Sequence, residues 1–166
     1  MRYVVNIAVV GALLIATSSR QCDARAHPAW PLQSLYKEAD AVIIAEATAT
    51  HPAKDASVED SWGTRVAVNT TFDVHVVLKG KAPHDGIKVL HYAWARQTDE
   101  PNPPELVSFN KKGLERGVVR IQYLLFLKQR ADGRYEPLSG QTDPIWSVRE
   151  LRVPDAERPA SAIVPN

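Results

Sequence analysis

Two kinds of side chain in this sequence are suited to chemistry: imidazoles, which hold metals or protons, and indoles, which grip ligands. His75 and His91 lie on two extended segments joined by a turn-rich link over 79–86. The apolar pattern sets Leu78 against Ile87, Val76 against Val89 and Val74 against His91, which leaves His75 on the opposite face. Pairing the two imidazoles would require Lys79 to face Ile87 and would break the apolar match. A shared metal site is therefore not expected. Trp30, Trp62, Trp94 and Trp146 fall at predicted strand ends or in loops. Indoles so placed could hold a sugar or a partner protein; the other reading is that they plug the open ends of a small barrel. Trp62 and Trp94 border the two long loops and are the candidate binding residues. No G-x-S-x-G, H-E-x-x-H, Walker loop or dinucleotide fingerprint occurs, so no catalytic residue, metal ligand or cofactor is predicted.

The N-terminal segment predicts where these residues work. Met1 to Asn6 carry Arg2 and the terminal amine, Ile7 to Ala16 is an apolar run, and a polar stretch ends in Ala24-Arg25-Ala26. That order reads as a secretory signal over 1–26, too short in its apolar part for a transmembrane helix. The mature chain is expected to start at His27 and to be secreted or periplasmic. His27 would then offer an amine and an imidazole together, both ligands for copper or zinc, with Pro28 denying a second backbone amide. Cys22 is the single cysteine, so no disulfide can form within the chain. Lipidation at Cys22 is the alternative start, although Arg20-Gln21 fits a lipoprotein signal badly; a cut after Ser18 would leave Cys22 as a free thiol. The 140 residues after Ala26 carry 17 basic and 18 acidic side chains with no basic tract, which speaks against nucleic acid as partner.

Period-two alternation is clearest from Val66 to Leu78, where Val66, Val68, Thr70, Phe72, Val74, Val76 and Leu78 share one face. It predicts Phe72, Val74 and Val76 in the core with Tyr123, Leu125 and Leu127, and Asp73, His75 and Lys79 in water. Further strands are expected at Ala41–Thr50, Ile87–Tyr92, Gly117–Lys128 and Tyr135–Leu138, the last returning antiparallel after Asp132-Gly133. A short helix over Pro31–Ala39 would present Leu32, Leu35, Tyr36 and Ala39 on one face, and Ser147–Leu151 reads as one helical turn. Residues 51–63 and 93–116 read as loops, and the tail from 154 to 166 as disordered. The expectation is a mainly β chain: one small closed five-stranded antiparallel, OB-like barrel over 27–153 with one or two short helices.

The order of these pieces resembles the netrin-like module of the tissue inhibitors of metalloproteinases, an OB-type barrel. The resemblance rests on Ala39-Asp40-Ala41-Val42-Ile43-Ile44, on Phe72-x-Val74-x-x-Val77-Leu78-Lys79-Gly80 and on Tyr123-Leu124-Leu125-Phe126, and covers most of 32–128. It implies a fold. Protease inhibition does not carry over, because that family begins with a disulfide-held cysteine on the target's zinc and this chain has none in that place. The sequence also looks like secreted bacterial proteins sharing the YLLFLK…DGRYEPLSGQ phrase, which implies no activity.

Three functions follow as expectations. The first is a secreted, non-enzymatic binding module whose long loops contact an extracellular protein or polysaccharide. The others are a secreted enzyme with an unrecognised site, for which a metal held through His27 is one option, and a structural envelope protein.

Overall fold

The computed structural model describes residues 30–81, 83, 86–97, 99, 102–109, 119–142 and 146–154. They form one helix, α1 (Leu32–Glu38), and seven strands: β1 (Ala41–Pro52), β2 (Val58–Asp60), β3 (Gly63–Lys79), β4 (Ile87–Gln97), β5 (Val119–Gln129), β6 (Tyr135–Pro137) and β7 (Val148–Pro154). The strands pair in the order β1-β3-β4-β6-β5-β7, and β1 pairs with β5 as well, so β1, β3, β4, β6 and β5 form a ring. The mainly β expectation holds, with corrections. The ring is not wholly antiparallel: β4 meets β6 in parallel through the single pair Val89↔Tyr135. Ser147–Leu151 is not a helical turn. Val148–Pro154 is a strand along β5, from Leu125↔Val148 to Val119↔Pro154. Five residues are too few to separate a helical period from an extended one, and the β5 edge decides between them.

Alternation in β3 is interrupted by the way it joins β1. Two residues of β3 oppose one step of β1 between Ile44↔Val76 and Ala45↔Val74, and again between Val42↔Lys79 and Ile43↔Val77. Each such bulge shifts the phase of the side chains by one. Phe72 is fully buried and Val74 packs on the core, as the alternation predicts. Val76 does not: it is 42% exposed, and Val77 takes the core side instead.

The β3–β4 register also differs from expectation. Ile87 faces Phe72, Val89 faces Thr70 and His91 faces Val68, each six residues from the predicted partner. The far half of β3 pairs with β1 and extends past the start of β4. The displacement is even, so His75 and His91 still fall on opposite faces.

Inside the ring lie Ile43, Ala45, Phe72, Ile87, Val89, Tyr123, Leu125, Leu127 and Tyr135. The long 93–116 segment is not a loop added to this core, because β4 continues to Gln97 and the described part of the remainder turns inward. Val107 and Phe109 are buried members of the core. Phe109 meets Phe72, Tyr123 and His91 edge-on, at centroid distances of 4.8, 5.2 and 4.9 Å.

Outside the ring, α1 lies over β1 and β5. Leu35, Ala39, Val42 and Phe126 are buried there, with Trp30, Leu124, Leu138 and Trp146 packed around them. Trp30 and Trp146 thus cover an outer face rather than plug an end. Leu32 and Tyr36, expected on the buried face, are 51% and 46% exposed. The helix ends on Lys79, whose Nζ donates to the carbonyls of Tyr36, Lys37 and Ala39 at 2.7, 2.7 and 2.6 Å. These are carbonyls that a helix C-terminus leaves without partners, and a cation there also suits the dipole. Asp40 then ties the helix to the ring: its N–H donates to the Leu127 carbonyl at 2.8 Å, and its carboxylate accepts the Gln129 N–H at 2.8 Å. Gly80 closes this corner with φ +81°, where an added Cβ would run into the Asp40 carbonyl.

Candidate functional site

The outward face of β3–β4 gathers the polar and aromatic residues. Register and alternation place Lys88 beside Thr71, Leu90 beside Asn69, Tyr92 beside Ala67 and Trp94 beside Arg65 on the side opposite His91, where Leu90 and Ala67 are themselves buried and Lys88, Tyr92 and Trp94 reach solvent at either end. Trp94 therefore belongs to a strand, not to a loop as expected. Trp62 sits in the two-residue turn of the β2–β3 hairpin, between Asp60 and Gly63. The two indoles share one end of the sheet, and Asp60 links their supports. One Asp60 oxygen accepts the Trp62 N–H at 2.9 Å and the other accepts from Arg65. The Arg65 guanidinium in turn lies 5.9 Å from the Trp94 ring centroid, a cation–π distance that steadies the indole. Both tryptophans are partly exposed. Beside Trp94, Tyr92 and Gln97 face Pro103, Pro104 and Leu106 across a cleft of about 410 Å³. The loops meant to carry the site are thus shorter than expected: 51–63 holds the end of β1 and all of β2, and 93–97 is strand.

At the other end of the same face is a polar groove of about 610 Å³, lined by Lys54, Asp55, Asn69, Lys88, Asp132 and Arg134 among others. Arg134 organises it. Its guanidinium donates to both Asp55 oxygens at 2.7 Å, to Asn69 Oδ1 at 3.0 Å and to Asp132 Oδ2 at 2.6 Å. The β1–β2 and β5–β6 connections are therefore stapled across the sheet. Such a planar fork suits bidentate carboxylate binding, which a lysine could not reproduce. The Arg134 hydrogen bond holds the Asp55 carboxyl below its ordinary range. The same cation, with its backbone N–H, holds Asp132 down to about 2. Arg134 itself is pushed up by Asp55 and then Asp132. Asp55 and Arg134 stand 79 positions apart, so no spacing in the sequence announces them. The one local cue is the Asp132-Gly133-Arg134 turn, in which Asp132 also accepts the Arg134 N–H at 3.0 Å.

The histidines take no part in this face. His91 is buried, and its Nδ1 lies 3.0 Å from the Val107 carbonyl. A carbonyl only accepts, so Nδ1 carries the proton and Nε2 accepts from the Thr70 hydroxyl, 2.8 Å away. Thr70 in turn accepts from Thr50 at 2.8 Å. With both nitrogens engaged, His91 ties the 102–109 segment to the ring. Burial is the strongest influence on it and pushes its pKa down to about 4, against the Val107 hydrogen bond, which raises it. His75 is exposed and lies 3.5 Å from Glu46. Among the described residues no three His, Cys, Asp or Glu side chains are grouped to hold a metal. His27 and Cys22 lie outside the described residues.

No protein-family model, curated protein or solved structure matches the chain. Among the described residues no helix is long and apolar enough to cross a membrane.

Proposed function

We propose that this chain is a secreted or periplasmic, non-enzymatic binding module that holds a polysaccharide along the outward face of β3–β4. The five-stranded ring, with β5 returning to β1 and β6 set beside β4, supports reading the fold as an OB-type barrel, in keeping with the netrin-like resemblance. Barrels of that type bind oligosaccharides and oligonucleotides with this sheet face and the two connections that flank it. Here those connections are the β1–β2 and β5–β6 segments joined by Arg134.

The observation that carries the reading is the placement of Tyr92 and Trp94 two residues apart on one side of β4, both partly exposed. Strand geometry spaces alternate side chains by about 7 Å, so the two rings offer successive platforms to one extended chain. Aromatic faces pack against apolar faces of sugar rings, while Asn69 and Lys88 offer hydrogen bonds beside them. Rigid strands carry these groups, which keeps the ordering cost of binding low.

Affinity electrophoresis of the full chain through gels containing polysaccharide tests this. Retardation of the parent protein is expected, with Trp94→Ala migrating freely and Trp62→Ala retarded less than the parent. A parent chain that no polysaccharide retards would overturn the reading. N-terminal sequencing of exported protein tests the location: a start at His27 supports it, and a lipidated Cys22 would replace it with a membrane anchor.

A further inference from the structure

Building on the polysaccharide reading, we infer that the ligand is an acidic polysaccharide, one that bears carboxylate or sulfate groups, and that its charges sit at the Arg134 end of the face. Two lysines line that end from separate segments, and the backbone of a third lies near it. Lys54 comes from the β1–β2 connection and Lys88 from β4, and both line the groove. Lys81 comes from the β3–β4 connection; its carbonyl accepts the hydroxyl of the groove residue Tyr135 at 3.2 Å. All three are exposed. The groove's two described carboxylates, Asp55 and Asp132, are held on Arg134 and together with it leave one net negative charge, fewer than the lysines carry. Glu136 nearby is likewise held by Arg130 at 2.7 Å.

The staple has a chemical consequence for recognition. Carboxylates held on Arg134 have fewer lone pairs left for sugar hydroxyls, while the exposed lysines add donors and positive charge beside them. A neutral glycan would offer the exposed ammonium groups no charge to pair with, only hydrogen bonds that water already supplies. An anion meets them and keeps a water-exposed, salt-sensitive attraction of the kind surface charges give. Among the described residues the Trp94 end carries no lysine cluster, only Arg65 and the exposed Arg96. There Arg65 is already held by Asp60, and ring stacking is what remains. The face therefore divides into a charge-reading end and a ring-stacking end.

Binding of the full chain to dextran, dextran sulfate, polygalacturonate and a single-stranded oligonucleotide, at about 0.05 and 0.5 M salt, separates the possibilities. The expected result is at least about tenfold tighter binding of an anionic polymer than of dextran at low salt, the preference fading at high salt. Dextran sulfate and polygalacturonate differ in the anion, so their order tells sulfate from carboxylate. The triple variant Lys54→Gln, Lys81→Gln, Lys88→Gln should lose the preference, and the corresponding arginine triple should keep it. Trp94→Ala should weaken all glycans alike. Equal binding of dextran and dextran sulfate overturns the acidic-ligand inference and leaves the polysaccharide reading standing. Failure to bind any glycan overturns both. Tighter binding of the oligonucleotide than of either acidic glycan also overturns the inference, in favour of a nucleic-acid site.

Discussion

His91 Nδ1 donates to the Val107 carbonyl at 3.0 Å, and through that bond a strand of the ring holds the segment that fills its interior. The imidazole is neutral in this arrangement, because Nε2 accepts from Thr70 while Nδ1 carries the proton. A proton on Nε2 would remove that acceptor and leave a charge in the core.

Stability should therefore fall in acid through this residue. The unfolded chain binds the His91 proton near the ordinary value of 6.5, whereas the folded chain holds it off until about 4. The unfolded state carries the extra proton between those values, so stability is lost as pH falls from 6.5 to 4. The contribution is about 3 kcal/mol over that window. Urea melts at pH 7 and pH 4 should show the loss in the parent and a smaller one in His91→Gln. Equal losses in both would place the acid sensitivity elsewhere.

Phe109→Ala should cost about 3–5 kcal/mol, as much as Phe72→Ala, because each removes a buried ring from the same edge-to-face cluster. Asp73→Ala, on the exposed face, should cost under about 0.5 kcal/mol. Denaturant melts check this. A mild Phe109→Ala variant would mean that 102–109 is an appendage to the core. For the same reason a short Gly-Ser link in place of this segment should lower the melting temperature, against the expectation for a free binding loop.

Lys79→Met keeps the aliphatic stem but removes three charged hydrogen bonds from the end of α1. A loss of about 1–2 kcal/mol is expected, with helix amides exchanging faster than the rest of the fold. Uniform exchange across the molecule would show that the cap does not act locally.

Arg134→Lys retains charge but not the fork. Amide exchange over Ala53–Ser57 should quicken, and acidic-glycan binding should weaken, with little change in the thermal transition. Unchanged exchange at these amides would mean that the backbone bond from Ala53 to the Ala67 carbonyl, at 2.9 Å, holds the connection alone.

What the sequence made legible was what a single strand or turn encodes. Thr70 to Val74 alternates because one face is buried, whereas Val66, expected on that face, is 37% exposed and Ala67 is buried; the Asp132-Gly133 turn returns β6 antiparallel to β5, with Gly133 at φ +83°. The opposite facing of His75 and His91 was legible because parity survives an even slip. The exposure of Val76 was not, since it depends on bulges that exist only once β1 lies alongside. Nor was the inward turn at Phe109: Leu106, Val107 and Phe109 follow prolines at no helical or strand period. Trp62 and Trp94 could be chosen by type and neighbourhood, but Arg134 could not, because Asp55 becomes its partner only in three dimensions.

The doubly paired β1 bears on the order in which the molecule is made. Residues 41–97 contain everything needed to pair β1 with β3 and β3 with β4. The second edge of β1 waits for Tyr123–Leu127, about eighty residues downstream of it. Until that stretch arrives, Ile43, Ala45 and Phe72 have no opposite wall, and β1 presents an open, apolar edge of the kind that recruits other chains. A nascent chain therefore passes through a half-built sheet, and a chain truncated before Tyr123 should remain in that state and self-associate.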